Sequence, residues 1–365
     1  MSQSPFKSFL MGGFECSTHR PRSGHRLDMI AATRHDEFAE ADYGRLQKLG
    51  IQTARDGLRW HLIEPEPGRY DFASLANQVA AARSTGTQII WDYFHYGYPD
   101  DIDLMSGEFV ERFTAFAIAA TEFLVAEFGP DIVFCPINEI SFFSWAAGRA
   151  GIFYPFAKNR AATIKRQLVK CVIASVSEIR QRFPRARWVL TEPAIHVVPS
   201  PGHSPRGAAR YRLAQFQALD MVSGRVDPEL GGSPRFIDMI GLNYYVHNQW
   251  TQPGRRPIAR NHPLYRHPHE IFNEFYIRYG RPLLIAETGI ENGRRADWFR
   301  HMADEVRSAH RLGMPLHGIC LYPIVNHPGW DDGRHCHNGL WDYADETGAR
   351  AVHEPLETAI KEFQL

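Results

Sequence analysis

Glu139 and Glu287 are the residues from which chemistry can start. Each closes an apolar run, "DIVFCPINE" (131–139) and "PLLIAET" (282–288). A carboxylate at the end of a run that reads as a buried strand needs a partner or a task. Paired carboxylates suit the cleavage of a glycosidic bond. One holds a proton for the leaving oxygen, and the other is ionised to attack or stabilise the anomeric carbon. Their surroundings must therefore differ. Arg55, near the end of "IQTARDGL" (51–58), would keep Glu287 ionised if it stood beside it. A tyrosine hydroxyl donating to Glu287 would help. Apolar neighbours and the charge of Glu287 would keep the proton on Glu139. The two acids are far apart in the chain, so the scaffold must bring strand ends together.

Eight apolar runs supply such ends: 8–15, 51–58, 87–95, 131–139, 187–193, 236–245, 282–288 and 316–325. Each reads as a strand covered on both faces. Helical patterns alternate with them near 36–49, 73–85, 108–128, 159–183, 207–223, 266–279, 295–312 and 354–363. Ser106 can cap the third helix, and Gly129-Pro130 stops it. The alternation predicts an α/β fold, a single (β/α)8 TIM barrel spanning 1–365 as one domain. An open doubly wound sheet is the structural rival, but no G-x-G-x-x-G follows the first strand. In a barrel the C-terminal strand ends line the active face. Those ends carry Glu15, Arg55, His95, Asn138, Glu139, Glu192, Asn243, Tyr244, Tyr245, Glu287 and Tyr322. Segments 140–158, 246–265 and 326–353 would form loops over them.

At these residues the chain resembles glycoside hydrolase family 1, within the clan of retaining barrel enzymes. "FLMGGFECSTHR" resembles its first strand, and "ARDGLRWHLIEPEPGRYDF" its second, with Arg55 and Trp60 on matching positions. "YFHYGYPDDI" places His95 as a sugar-binding histidine. "FGPDIVFCPINEISFFSWAAGRAGIFYP" places Asn138 and the acid/base Glu139. "IGLNYYV" places Tyr245 beside the nucleophile, and "PLLIAETGIENG" places Glu287 as that nucleophile. "LYPIVNHPGWDDGRHCHNGLWDY" is a weakened form of the final Trp-rich segment, keeping Trp330. The resemblance touches all parts of the chain in order, with gaps between. It implies a retaining glycosidase that cleaves a β-linked small glycoside and needs neither cofactor nor metal. The departures fall in the sugar pocket. His19 stands where the family has Gln, Tyr322 where it has Trp, and Gly329 where it has the Glu that holds outer sugar hydroxyls, with Asp331 or Asp332 near enough to take over. Glycosidase chemistry is thus expected with an altered sugar preference.

Blander readings stand beside these. Glu139 could start a helix, Glu287 could cap a turn, and Arg55 could pair with Asp56. His95 and Tyr245 could pack as core residues, and Glu192 could pair with an arginine. Trp330 and Phe143 or Trp145 could be loop packing, or flat platforms for sugar rings. His327, Asp331, Asp332, His335, Cys336 and His337 invite a metal reading. It is set aside because His335 and His337 would point opposite ways on a strand and no C-x-x-C accompanies them. A non-catalytic sugar-binding protein on a decayed glycosidase barrel, and a transglycosidase with the same residues, remain open.

Composition narrows the partners. Basic and acidic residues balance at 41 each, which argues against a nucleic-acid or anionic-membrane surface. A carbohydrate is the expected partner, and oligomeric state is left open. Five scattered cysteines suggest no disulfide framework. The N-terminus shows no secretory signal and no run of about 18 apolar residues appears, so a cytoplasmic location is expected.

Overall fold

The structure, a computed structural model, describes residues 4–364. Its centre is β1 (Leu10–Gly13), β2 (Thr53–Gly57), β3 (Gln88–Asp92), β4 (Val133–Cys135), β5 (Arg187–Pro193), β6 (Met239–Asn243), β7 (Leu283–Thr288) and β8 (Leu316–Leu321). These close a parallel barrel in the order β1-β8-β7-β6-β5-β4-β3-β2. The open-sheet rival is excluded, because β1 pairs with both β2 and β8.

The alternation of side chains along each strand divides the core in two. Met11, Ile90, Val133, Val189, Met239 and Leu284 fill the barrel interior as one buried cluster. Their strand neighbours face outward into a larger cluster shared with the helices. The interior leaves little slack. A Cβ on Gly241 of β6 would come within 2.6 Å of Thr191 and 2.9 Å of Ala286, so only glycine fits there.

Helix ends follow the sequence cues. Ser106 Oγ accepts the Phe109 amide at 3.2 Å and starts Gly107–Phe128. Gly129 ends it at φ 80°, in the left-handed region that suits glycine. Strands are shorter than the apolar runs. β4 stops at Cys135 because Pro136 has no N–H to continue the ladder. Asn138 then rejoins as an isolated bridge to Thr191. β8 ends at Leu321 rather than at 325.

Three expected features differ. Segment 140–158 holds a helix, Ile140–Trp145, followed by a wider turn at Ala146–Ala150. The single helix expected near 207–223 is Pro205–Leu213 and Gln217–Val222, joined by a tight turn at Ala214–Phe216. Segment 326–353 folds into two hairpins, His327–Pro328 with His335–Cys336 and Trp341–Ala344 with Arg350–Val352. Among the described residues, no helix is long and apolar enough to cross a membrane.

Candidate active site

Strand parity decides which end residues enter the barrel mouth. Asp92 lies two positions beyond inward-facing Ile90, and Asn243 two beyond Gly241, so both turn inward. Parity alone would send Glu287 outward, since Leu284 and Ala286 face in. A register shift between Ile285 and Glu287 against β6 turns it into the mouth, as β-bulges do. Asn138 and Glu139 are adjacent yet both reach the site. Glu139 sits at φ 45°, a left-handed conformation uncommon for glutamate and held here by the surrounding fold.

Arg55 organises the centre. It is buried between two acids. Its Nε and Nη2 donate to the two Asp92 oxygens at 3.0 and 2.7 Å. Nη1 donates to Glu287 Oε1 at 2.8 Å, and Nη2 to Asn138 Oδ1 at 2.8 Å. Thr191 Oγ1 also donates to Asn138 Oδ1, at 2.8 Å. That fixes the amide orientation. Asn138 Nδ2 therefore donates to His95 Nε2 at 3.1 Å and to Tyr96 Oη at 2.9 Å. With Nε2 accepting, the His95 proton is on Nδ1 and donates to Asp92 at 2.8 Å. Tyr96 Oη–H donates to Glu139 Oε2 at 2.6 Å. Tyr245 Oη–H donates to Glu287 Oε2 at 2.9 Å. Each candidate carboxyl thus has one tyrosine, but only Glu287 has a cation in contact.

The electrostatics follow. Burial, then the charge of Glu287, pushes the Glu139 carboxyl up to about 8, with Tyr96 working the other way. Burial pushes Glu287 up as well, while Arg55 pulls it back. Of the pair, Glu287 loses its proton first, because it alone touches a guanidinium.

Glu15, His95, Tyr245, Tyr322, Trp330 and Asp331 line one cavity with the two acids. Glu15 accepts the Ser17 amide at 3.0 Å and lies 4.0 Å from His95 Nε2. The Tyr322 ring lies 5.3 Å from the Arg55 guanidinium. Trp330 stands edge-on to Tyr96 and Phe153, and its Nε1 has no hydrogen-bond partner. Asp331 is exposed at the rim. Trp145 lines the same cavity, whereas Phe143 is fully buried behind it.

Four expected placements and one alternative pairing need correction. Trp60 lies outside the barrel, because the chain enters a short helix there. Its ring stacks on Phe116 at 5.1 Å and its Nε1–H donates to Glu64 at 2.6 Å. Glu192 follows inward-facing Thr191, so parity turns it away. It accepts the Ser141 amide at 3.1 and 3.3 Å, capping the helix that follows Glu139. His19 is buried against Phe153 and the edge of Trp330 rather than on the cavity wall. Asn243 is fully buried off the cavity wall, where its side chain hydrogen-bonds Glu139 and donates to Asn138 at 3.3 Å, so it touches the acid rather than a sugar. Arg55 does not pair with Asp56, which faces outward to His35, Tyr43 and Gln78.

Sequence reasoning passed over Asp92 and Tyr96. Parity from Ile90 could have found Asp92. Nothing in the sequence marks Tyr96, whose place depends on a φ of 72° that swings it toward Glu139.

The Gly329 position is also resolved. The Asp332 carboxylate occupies the space where a Cβ on Gly329 would stand. Arg334 donates to both oxygens of Glu291, at 2.8 and 2.6 Å. His335 and His337 do not point apart. Their rings stack at 4.3 Å, and His335 Nε2 lies 2.6 Å from Asp342. Among the described residues, two further groups bring three ligand-type atoms together: Cys16, Asp92 and His95, and His267, His269 and Glu305. The first belongs to the Arg55 network. In the second, Glu305 accepts the His269 amide at 3.2 Å, at the start of Pro268–Tyr279.

The cavity measures about 1120 Å³. That is just above the usual range of small-ligand sites, roughly 300–1,000 Å³, and leaves room beyond one sugar ring.

No protein-family model and no curated protein matches the chain. Solved structures do. A hyperthermophilic β-glucosidase mutant, described as dodecameric in its crystal, superposes with a TM-score of 0.78 at 14% identity, over 97% of this chain and 99% of that one. The β-glucosidase from Thermotoga maritima in complex with azafagomine gives 0.77 at 15%, over 97% of both chains. A β-glycosidase from Pyrococcus horikoshii gives 0.75 at 17%, over 90% and 84%. The T. maritima enzyme is described as a family 1 β-glucosidase. The chain therefore has the fold of family 1 β-glucosidases, carried by a sequence that has diverged far from theirs.

Proposed function

We propose that the protein is a retaining glycosidase acting on a β-linked small glycoside. The observation that carries this reading is the asymmetry of two carboxyls, Glu287 buried and Glu139 half-buried, in one cavity. Glu287 is paired with Arg55, and Glu139 has no cation and a pKa near 8.

Glu287 attacks the anomeric carbon as the bond to the leaving oxygen breaks. Glu139 passes its proton to that oxygen. This leaves a glycosyl ester on Glu287. Glu139, now ionised, takes a proton from water as the water attacks the same carbon, and the sugar departs with its configuration retained. Arg55 and Tyr245 hold Glu287 in its attacking orientation. Tyr96, itself held by Asn138, sets the rotamer of Glu139. His95, Glu15, Tyr322 and Trp330 present polar groups and flat apolar faces to the ring. The Asp332 and Arg334–Glu291 group occupies the rim around Gly329, which supports an altered preference for the outer hydroxyls.

A panel of p-nitrophenyl β-glycosides, including pentosides, deoxy-sugars and uronides, tests the reading. At least one is expected to turn over with a product of unchanged anomeric configuration by NMR. Glu139→Gln and Glu287→Gln should each lower kcat/KM for it by at least about 10³-fold. Near-normal turnover in either variant, or an inverted product, would overturn the assignment.

A further inference from the structure

The cavity extends past Glu139, and its two ends differ in charge. Glu15, Glu139 and Glu287 stand at the barrel mouth. The far wall is made by helices Ile140–Trp145, Ala161–Arg182 and Pro205–Leu213. Gly207, Arg210, Tyr211 and Ala214 line it at the i, i+3, i+4, i+7 spacing of one helix face. Four cations border this arm: Arg149, Lys165, Arg210 and Arg255. Among the described residues, none of them has a carboxylate within ion-pair distance.

Two of the polar groups there are buried. Lys165 is 8% exposed, and its Nζ donates to Gln217 Oε1 at 3.0 Å. The acid whose charge it feels, Glu192, is engaged by the Ser141 amide. Gln215 is 3% exposed. Its Oε1 accepts the Ile195 amide at 2.8 Å, and its Nε2 has no partner. Burial lowers the Lys165 pKa, an effect the charge of Glu192 offsets only in part. Arg255 lies between Trp145 and Trp250, 5.3 and 5.5 Å from their rings. Tyr211 meets Trp250 edge-on at 5.5 Å. The arm is therefore flat-sided, aromatic and basic. A neutral leaving group would leave the buried Lys165 without an ion-pair partner and the buried Gln215 N–H without an acceptor. An oxo-anion on a flat ring would complete them with charge-assisted hydrogen bonds.

We propose that this arm is the subsite for the leaving group, and that it selects an aromatic aglycone bearing an oxo-anion held by Lys165, Gln215 and Arg210. The assignment of the arm to the leaving group rests on the glycosidase reading. The anion site itself does not.

Calorimetry on the intact chain at low salt, with benzoate, phenyl sulfate, phenyl phosphate and neutral benzamide as probes, tests the site without catalysis. At least one anion is expected to bind about tenfold or more tighter than benzamide, and to weaken as salt is raised. The tightest of the three identifies the group. Lys165→Gln and Arg210→Gln should each remove most of that preference. Arg210 is exposed, so its variant reads the site even if the buried Lys165 variant fails to fold. Equal binding of benzamide and all three anions, or unchanged anion binding in Arg210→Gln, would overturn the proposal. In a second arm, p-nitrophenyl and 3-carboxy-4-nitrophenyl glycosides of the same sugar are compared. Their kcat/KM ratio should favour the carboxylate about tenfold and fall toward one in Arg210→Gln. Anion binding without cleavage of either glycoside would sink the glycosidase reading and leave the anion site standing. Cleavage of both without anion preference would do the reverse.

Discussion

Tyr96 and Arg55 decide how the two carboxyls differ. Tyr96 donates to Glu139 and so favours its ionised form. Its removal in Tyr96→Phe should raise the Glu139 pKa further. The alkaline limb of the kcat/KM profile, where Glu139 loses its proton, is then expected to move to higher pH, with a rate loss of roughly tenfold. An unmoved limb would show that Tyr96 does not act on Glu139. Arg55→Met leaves Asp92 and Glu287 buried without their cation. It should cost about 3–5 kcal/mol in chemical denaturation as well as activity. A variant as stable as the parent would contradict the ion-pair account. At this scale the sequence was partly legible. Glu139, Glu287 and Arg55 could be read because charged residues end apolar runs. Trp60 and Glu192 were misplaced because distance from a strand end says nothing of which face a side chain takes.

At the scale of elements, the apolar runs and capping residues read well, since burial on both faces and Ser106 or Gly129 leave direct marks in sequence. Two local irregularities left none. The shift in β7 that turns Glu287 inward and the left-handed Glu139 are both set by the closed barrel. The helix at Ile140–Trp145 was missed because it has no side-chain cap of its own and takes one from Glu192, on another strand. The barrel's tolerance can be measured at Gly241. Gly241→Ala places a methyl against Thr191 and Ala286 and is expected to cost about 1–3 kcal/mol by urea denaturation. Unchanged stability would show slack in the interior.

For the whole molecule, buried titratable groups tie stability to pH. Burial works against a charged His35, but Asp56 and Asp42 on either side override it and raise its pKa to about 9 from 6.5. Its stabilising contribution is complete below about pH 6.5 and is lost as pH rises through 9. Glu139, raised from 4.5 to about 8, acts in the same direction, since its ionisation in the folded state is unfavourable. Stability should therefore decline across this range. Glu139→Gln should be more stable than the parent at pH 8–9, and His35→Gln should flatten the decline above pH 6.5. Thermal unfolding across buffers of constant ionic strength checks both, and a parent curve that rises with pH would contradict the account.

If Glu287 is the nucleophile, it can be trapped as a covalent glycosyl ester. The chain would be incubated with 2-deoxy-2-fluoroglycosyl fluorides of several sugars, digested, and mapped by mass spectrometry. One sugar-sized mass increment is expected on the peptide carrying Glu287, absent in Glu287→Gln. An increment on another residue, or turnover of a glycoside with no adduct from its matching fluoro-sugar, would contradict that role.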